Sequence, residues 1–278
     1  MVTSSSGTQR LLPRKQSNPD QASWWQALDR IRDAIPKADI DRLVEATAEQ
    51  VRHTIDRHGW GRVAYGWSGG KDSQALRYVT ELAGVTECVL VISQLEVPEF
   101  LAWSTDHMPD GLEVITTSQD LDWLAAHQST HLFPEGRHGA DWFRRVQHTG
   151  QREYQKRHGW DALLLGRRAG DGNFTRGADE HGQHITVSRG GVRYLPIFDW
   201  THEQTFAAIS WYEDLDLAPC YSWPRGFQVG TGPWPARQWT GGVDAGWDEI
   251  WQIDRQLVTM CAEDGRFPSA ESAVDRNG

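Results

Sequence analysis

Cysteine is scarce in this sequence. The 278 residues include three cysteines, Cys88, Cys220 and Cys261, and no two of them have the two-residue separation of typical zinc or iron–sulfur sites. They are also too few and too scattered for a disulfide framework. The eleven histidines show no His-Glu-x-x-His spacing, so we expect them to be mostly solvated. A reducing, cytoplasmic location fits this composition.

Long apolar runs are missing as well. Nothing approaches the roughly twenty apolar residues that a membrane-spanning helix needs. Residues 1–20 are rich in serine and basic residues and lack the apolar run of a signal peptide. We therefore expect no membrane segment and a flexible tail over residues 1–20.

Basic residues are fewer than acidic ones. The chain carries 28 Lys and Arg against 38 Asp and Glu, which gives a formal net charge of −10. This balance disfavours a surface that follows nucleic-acid phosphates, although a local basic patch stays open. The expected partner is a small molecule. With 38% hydrophobic residues, the chain can bury a sizeable core.

Helix and strand patterns alternate along the chain. Apolar residues at helical spacing predict a helix over 38–58 that ends at Gly59, and a second one that ends near Gly84. Short apolar or β-favouring runs predict strands at 62–67, 88–93, 113–117 and 161–165. This alternation predicts an α/β fold with a doubly wound, mostly parallel sheet and helices on both faces.

Loops after these strands are expected to form one pocket. Ligands of such sheets bind beyond the carboxyl ends of the strands, where the loops that begin at Trp67, Gln94 and Gly166 would meet. Further on, 185–189 and 192–197 flank a Gly-Gly turn and predict a hairpin. Thr201 is expected to cap a helix that runs to about Leu215.

The C-terminal region is rich in Gly, Pro and Trp. We predict one amphipathic helix over 246–261 and frayed residues after it. The resulting organisation is a tail at 1–20, N-terminal helices at 21–59, a nucleotide-binding domain at 60–217 and an extension at 218–278.

A glycine-rich loop follows the first predicted strand directly. Gly69 and Gly70 let backbone N–H groups face inward, Ser68 and Ser73 add hydroxyl donors, and Lys71 adds a cation. The dipole of the helix that begins beside the loop also attracts an anion. The loop therefore predicts a polyphosphate site. It lacks the four-residue spacer of a Walker A sequence, so a γ-phosphate cradle is not implied.

Asp72 is the one acidic residue of the loop. A carboxylate among phosphates is repulsive unless a divalent cation lies between them, which makes Asp72 a candidate magnesium ligand. An N-terminal helix cap is the alternative. Both interpretations stay open from the sequence.

The loop Ser68-Gly69-Gly70-Lys71-Asp72-Ser73 resembles the SGGxDS signature of the PP-loop ATP pyrophosphatases, also called adenine nucleotide α-hydrolases. Within that superfamily the chain is similar to the phosphoadenosine phosphosulfate reductase branch, which includes the small subunit of bacterial ATP sulfurylase and the sulfur-transfer enzymes of DNA phosphorothioation. The supporting stretches are 97–99, 166–168, 175–176, 194–201, Tyr221 and 226–230. The resemblance thus covers about residues 61–232.

The resemblance implies the roles of particular residues. Ser68, Gly69, Gly70, Lys71, Asp72, Ser73 and Arg176 would bind the nucleotide. Lys71, Arg167 and Arg168 would act in catalysis, since guanidiniums suit bidentate contacts to phosphate or sulfate. The alternative for the arginines is a role as surface cations. ATP and Mg²⁺ are the implied ligands, with Asp72 on the metal.

The chain departs from the family in its cysteines. The reductases use a thiolate near the C-terminus, and several relatives hold a cluster with cysteines after the glycine turn. This sequence reads Gly230-Thr231-Gly232-Pro233 there, and threonine cannot replace a thiolate. Because branches that use ATP keep SGGKDS, the intact loop implies cleavage of ATP between the α and β phosphates, without a catalytic cysteine.

Three functions stay open from the sequence. The first is an enzyme that adenylylates or activates a small-molecule acceptor with release of pyrophosphate. The second is a component of a sulfur-transfer or nucleic-acid modification system, with the missing chemistry on a partner subunit. The third is a non-catalytic sensor of adenine nucleotides. A homo-oligomer is compatible with each.

Overall fold

A computed structural model describes residues 11–12, 20–135, 138–172, 177–188, 191–237 and 241–278. Its sheet consists of β1 (Val63–Gly66), β2 (Cys88–Ile92), β3 (Leu112–Thr116), β4 (Ala162–Leu165), β5 (Ile185–Ser188) and β6 (Gly191–Tyr194). The strand order is β3-β2-β1-β4-β6-β5. All neighbouring strands are parallel except β5 and β6, which form the predicted antiparallel pair. The predicted α/β fold with a mostly parallel sheet is confirmed.

Helices connect the strands and extend the chain at both ends. The first group is α1 (Gln21–Leu28), α2 (Ile31–Ala34), α3 (Lys37–His58), α4 (Lys71–Ala83), α5 (Pro98–Asp106), α6 (Leu121–Ala126) and α7 (Gln128–His131). The second is α8 (Gly139–Arg145), α9 (Gln147–His158), α10 (His202–Glu213), α11 (Gly226–Val229), α12 (Gly242–Ile253), α13 (Arg255–Glu263) and α14 (Pro268–Asn277). None of these helices is long and apolar enough to cross a membrane.

Alternation along the central strands divides the core between the two faces of the sheet. In β4, Leu163 and Leu165 pack on one side and Leu164 on the other, because successive side chains of a strand point to opposite faces. Helices α3, α4 and α10 contact one another and cover the second side, whereas α9 packs against β2 and β3 on the first. Helices on both faces explain why the central strands are continuously apolar.

Helix boundaries follow the predicted caps. Helix α3 ends at Gly59 with φ +64° and α4 at Gly84 with φ +84°, the left-handed conformation that glycine adopts without strain. Helix α10 begins with a capping box, in which the Thr201 hydroxyl accepts from the Gln204 N–H and the Gln204 side chain accepts from the Thr201 N–H. These helix boundaries are therefore predictable from local sequence signals, the glycine caps and the capping box.

The prediction for the C-terminus was wrong in two respects. The helix expected over 246–261 is two helices, because Asp254 has extended backbone angles and its carboxylate caps α13 by accepting from the Leu257 N–H. The residues expected to be frayed form α14, whose Ala270 and Ala273 are fully buried. Small residues on α14 allow it to approach α12 and α13 closely, a packing that the sequence pattern does not predict.

Two further expectations need correction or restriction. Most of the expected tail lies outside the described residues, but Leu12 is buried and its N–H donates to Glu203.

Most histidines are half-buried rather than solvated, and His131 is buried among aromatic rings. Burial and then the charge of Arg145 lower the pKa of His131 to about 4.

Candidate functional site

The glycine-rich loop joins β1 to α4 at the carboxyl edge of the sheet. Gly69 has φ +68°, and a Cβ there would lie 2.8 Å from the Trp103 ring of α5. The Ser73 hydroxyl donates to the Gly70 carbonyl at 2.8 Å and accepts from the Ser68 N–H at 3.0 Å. These bonds hold the loop in a tight turn whose conformation only glycine allows at position 69.

Two other segments contact this loop. Gly166, directly after β4, approaches so closely that a Cβ would lie 2.6 Å from the Asp72 carbonyl oxygen. From the C-terminal region, the Tyr221 hydroxyl accepts a hydrogen bond from the Lys71 N–H at 2.7 Å. The loops after β1 and β4 therefore meet as predicted. Beside Gly69, where the loop that begins at Gln94 was expected, lie Phe100 and Trp103 of α5.

A buried network of charges lies beneath the loop. Lys71 Nζ is 2.6 Å from Asp72 Oδ2 and 3.4 Å from Asp171 Oδ1. Arg168 donates to the other Asp72 oxygen and, at 2.8 Å, to Asp171 Oδ2. Its Nη1 also donates to the Trp200 carbonyl at 3.0 Å. Two largely buried cations and two partly buried carboxylates therefore compensate one another.

This network fixes the charge of Asp72. Burial by itself would raise the pKa of Asp72, but Lys71 and Arg168 outweigh it and lower the pKa to about 2. The helix-cap interpretation of Asp72 was wrong, because Gly70 is the N-cap of α4 and Asp72 lies inside the first turn. Asp72 remains a candidate metal ligand. In the described residues no group of three His, Cys, Asp or Glu side chains could hold an ion.

Arg167 and Arg168 point to different places. Arg168 is fully buried in the network and lines no part of the cavity, so its observed contacts position Asp72. Arg167 lies in the cavity wall, 4.6 Å above the Phe143 ring, and its Nη2 is buried without a hydrogen-bond partner among the described residues. Arg176, the third predicted arginine, lies outside the described residues, as does its neighbour Thr175.

A cavity of about 270 Å³ opens beside the loop. Ser68, Gly70, Lys71, Asp72 and Ser73 form one part of its wall. Val89, Val91, Leu165 and the Phe143 ring give another part an apolar character. Tyr221 and Thr231 contribute the side from the C-terminal region, which therefore lines the same cavity as the glycine-rich loop. The arrangement can hold an anion at the loop and an uncharged flat group beside it.

Sequence reasoning missed several residues of this site. Asp171 follows Arg168 by three positions, and only the turn after β4 brings it to Lys71. Gln147 and Gln151 line the cavity from α9, where a separation of four residues places both on one helix face. That spacing was visible in the sequence, but glutamines four apart are common on solvated helices and gave no signal of a site.

The three cysteines lie away from the cavity wall and are buried. Burial raises the pKa of the Cys88 thiol to about 11, and those of Cys220 and Cys261 to about 12. Thiols in such surroundings stay protonated and are poor nucleophiles.

No protein-family model and no curated protein matches this chain. Several solved structures are similar. Phosphoadenylyl-sulfate (PAPS) reductase from Candida auris, solved with phosphate, has 13% identity and a TM-score of 0.49, covering 72% of this chain and 96% of the reductase. NMN synthetase from Francisella tularensis has 14% identity and a TM-score of 0.47, covering 86% of this chain and 96% of the synthetase.

A third similar structure is the FMN adenylyltransferase of Candida glabrata in complex with ATP. It has 11% identity and a TM-score of 0.38, and the match covers 72% of this chain and 65% of that chain. The case for the function of this chain rests on its own loop, charges and cavity.

Proposed function

We propose that this chain binds ATP in the cavity beside Ser68–Ser73 and cleaves it between the α and β phosphates, passing the adenylyl group to a small acceptor. The observation that carries the proposal is the convergence of the glycine-rich loop, Lys71 and the Arg167 side chain on one cavity. The donors suit phosphate oxygens, because charge-assisted hydrogen bonds from ammonium and guanidinium groups are short and strong.

Lys71 is the residue expected to meet the triphosphate. It is buried and held by Asp72 and Asp171, so its cation is already desolvated beside the loop. A phosphate at the loop competes for this ammonium. When Lys71 turns to it, Arg168 still neutralises Asp72 and Asp171 and keeps both carboxylates in place. We assign Arg168 this positioning role.

The donor set fits a magnesium ion that arrives with ATP. Mg²⁺ is usually held by one or two carboxylates together with phosphate oxygens and water, and Asp72 and Asp171 supply carboxylates beside the loop. Bound there, the ion would neutralise the leaving pyrophosphate. Release of Lys71 from Asp72 would make Oδ2 of that carboxylate accessible for this purpose.

The reaction step needs no covalent intermediate on the protein. A nucleophilic oxygen of the acceptor forms a bond to the α-phosphorus, and the bond from that phosphorus to the oxygen bridging to the β-phosphorus breaks. The electron pair leaves with pyrophosphate, whose charge Lys71 offsets. Buried thiols of raised pKa support a mechanism without a catalytic cysteine.

Replacement of Lys71 tests the proposal. We expect Lys71→Ala to slow pyrophosphate release from ATP by about 10²-fold or more, the usual cost of removing one donor that stabilises developing negative charge. Lys156→Ala removes an exposed lysine from α9 and should leave the rate unchanged. Equal activity of Lys71→Ala and the unaltered chain would contradict the assignment.

The two other functions that the sequence leaves open give different results in the same assay. A nucleotide sensor would bind ATP but release no pyrophosphate with any acceptor. A component of a sulfur-transfer or nucleic-acid modification system would release pyrophosphate only when its partner protein or nucleic acid is added.

A further inference from the structure

We infer that helix α1, which lies before the stretch that resembles the PP-loop ATP pyrophosphatases, is a positioning element of the proposed ATP site, with Gln21 and Trp24 as its positioning residues. None of the described residues of α1 lines the cavity. The helix acts on two wall residues, Tyr221 and Phe227, and on the charge network beneath the loop. The inference rests on the proposed function for its effect on ATP, whereas the contacts that carry it are independent of a nucleotide.

Helix α1 is capped at its start and buried along one face. The Asp20 carboxylate accepts from the Ser23 N–H at 2.7 Å, which satisfies one of the N–H groups that a helix start leaves unpaired. Trp24, Ala27 and Leu28 lie on one face of the helix and are at most 3% exposed. A helix of eight residues is not stable alone, so these packed side chains fix its position.

Two rings of α1 pack against one ring of the cavity wall. The Trp24 ring stacks on the Phe227 ring with the centroids 4.9 Å apart and an angle of 8° between the planes. The Trp25 ring meets Phe227 edge-on at 5.2 Å. Phe227 lines the cavity from α11, a helix of four residues that is too short to hold the ring by itself. The packing against α1 therefore positions this part of the wall.

A second set of contacts runs from α1 to the glycine-rich loop through Tyr221. The Gln21 side-chain N–H donates to the Tyr221 carbonyl, and the Phe227 ring packs against the Tyr221 ring at 5.4 Å. The Tyr221 hydroxyl accepts from the Lys71 N–H at 2.7 Å. Lys71 is the first residue of α4, where an N–H has no acceptor within its own helix. Tyr221 supplies that acceptor, so α1 restrains the start of α4.

Trp24 also contacts the charge network from the side of α10. Its ring lies edge-on to the His202 ring, with the centroids 6.2 Å apart. Nδ1 of His202 is 3.1 Å from Arg168 Nη2, and its Nε2 is 3.5 Å from Asp171 Oδ1. One side chain of α1 thus contacts both the cavity wall and a neighbour of the buried ion pairs. Loss of the Trp24 ring should loosen both.

Hydrogen exchange of the ligand-free protein tests the positioning role without a nucleotide. The exchange rate of the Lys71 N–H is measured by nuclear magnetic resonance in Gln21→Ala, Trp24→Leu and the unaltered chain. We expect it to rise by about 5-fold or more in both variants, the effect of weakening one hydrogen bond. The rate at Val79, in the middle of α4, is measured alongside, because a loss of global stability would raise it as well.

Gln26→Ala is the matched control for Gln21→Ala. It removes the same side chain from an exposed position of α1 and should leave the Lys71 exchange rate unchanged.

Affinity for the α,β-methylene analogue of ATP, which cannot be cleaved between the α and β phosphates, gives the functional readout. We expect Trp24→Leu to weaken binding by about 5-fold or more, the effect of losing an aromatic pair in the support of the wall. Trp24→Phe keeps a ring that stacks on Phe227 and should recover most of the affinity. Ile31→Ala is the control, because Ile31 of α2 is buried in the core on the other face of the sheet. It should lower stability and leave analogue affinity within about 2-fold.

Three results would overturn the inference. An equal rise in exchange at Lys71 and Val79 would give α1 a role in stability alone. Unchanged analogue affinity in Trp24→Leu, or an equal loss in Ile31→Ala, would remove its link to the site. The proposed function fails separately, if the unaltered chain does not bind the analogue. In that case the exchange rates of the ligand-free protein still decide whether α1 holds Tyr221 and the start of α4.

Discussion

At the scale of single residues, the site depends on close approach and on charge compensation. Gly166 lets the loop after β4 touch the backbone of Asp72, and the buried Arg168 holds the carboxylates of Asp72 and Asp171. Both residues belong to the Gly-Arg-Arg stretch, whose first and last members act on the loop while Arg167 faces the cavity. The three residues of this stretch therefore have three different roles.

A methyl group at position 166 should displace the glycine-rich loop. In Gly166→Ala the new Cβ would meet backbone rather than a flexible side chain, so we expect the free energy of unfolding to fall by about 1–3 kcal/mol. ATP affinity should fall as well. Gly61→Ala is the control, since its Cβ would lie 3.7 Å from Asp161 Oδ2, an ordinary contact. Urea unfolding and ATP titration of both variants check this, and equal behaviour would contradict it.

Removal of Arg168 should chiefly affect stability. Arg168→Met leaves Asp72 and Asp171 short of a buried counter-charge, and we expect a loss of about 3–5 kcal/mol in urea unfolding. Exposed Arg152→Gln should change stability by less than about 0.5 kcal/mol. If Arg168→Met were as stable as the unaltered chain but inactive, the catalytic role expected from the resemblance would replace the positioning role.

At the scale of elements, caps and turns decide how the chain enters and leaves the site. The ends of α3, α4 and α10 were predictable because glycine caps and a capping box are local signals. The break between α12 and α13 was not, because the apolar pattern continues across Asp254 and only its extended backbone separates the helices. Helix α14 was missed because its buried face consists of alanines, which carry little hydrophobic signal.

The turn between β2 and α5 holds a buried acid. Glu96 Oε1 accepts from the N–H and the hydroxyl of Ser93, each at 3.1 Å, while Oε2 is buried and has no partner in the described part of the chain. Burial raises the pKa of Glu96 to about 7, against 4.5 for an ordinary glutamate. The folded protein therefore binds a proton between these pH values that the unfolded chain has released, and the free energy of unfolding falls as pH rises from about 4.5 to about 7.

Glu96→Gln should remove this pH dependence. The contribution of Glu96 amounts to about 3 kcal/mol across that range, so the variant should be more stable than the unaltered chain at pH 8 and similar to it at pH 4. Glu135→Gln, at a solvent-exposed position, serves as the control and should leave the pH profile unchanged. Parallel profiles for the unaltered chain and Glu96→Gln would show instead that the pKa of Glu96 is the same in the folded and the unfolded chain.

At the scale of the whole molecule, the fold was largely predictable and the site only in part. The continuous apolar run of β2 and the alternation of strands with helices indicated the parallel sheet, and the glycine-rich loop indicated its binding edge. The roles of Lys71, Asp171 and Arg168 could not be predicted from the sequence, because they depend on contacts between residues that lie as much as 100 positions apart. Tertiary packing, rather than spacing, selects which arginine faces the cavity.

The most direct test of the central claim is to identify which product carries the label after cleavage of γ-labelled ATP. The protein is incubated with Mg²⁺ and a screen of sulfate, carboxylates, amides and nucleosides, without added pyrophosphatase, and the products are separated chromatographically. We predict label in pyrophosphate, together with AMP or an adenylylated acceptor, and none of these products above background in Lys71→Ala. Label in orthophosphate with ADP as the sole other product would contradict cleavage between the α and β phosphates.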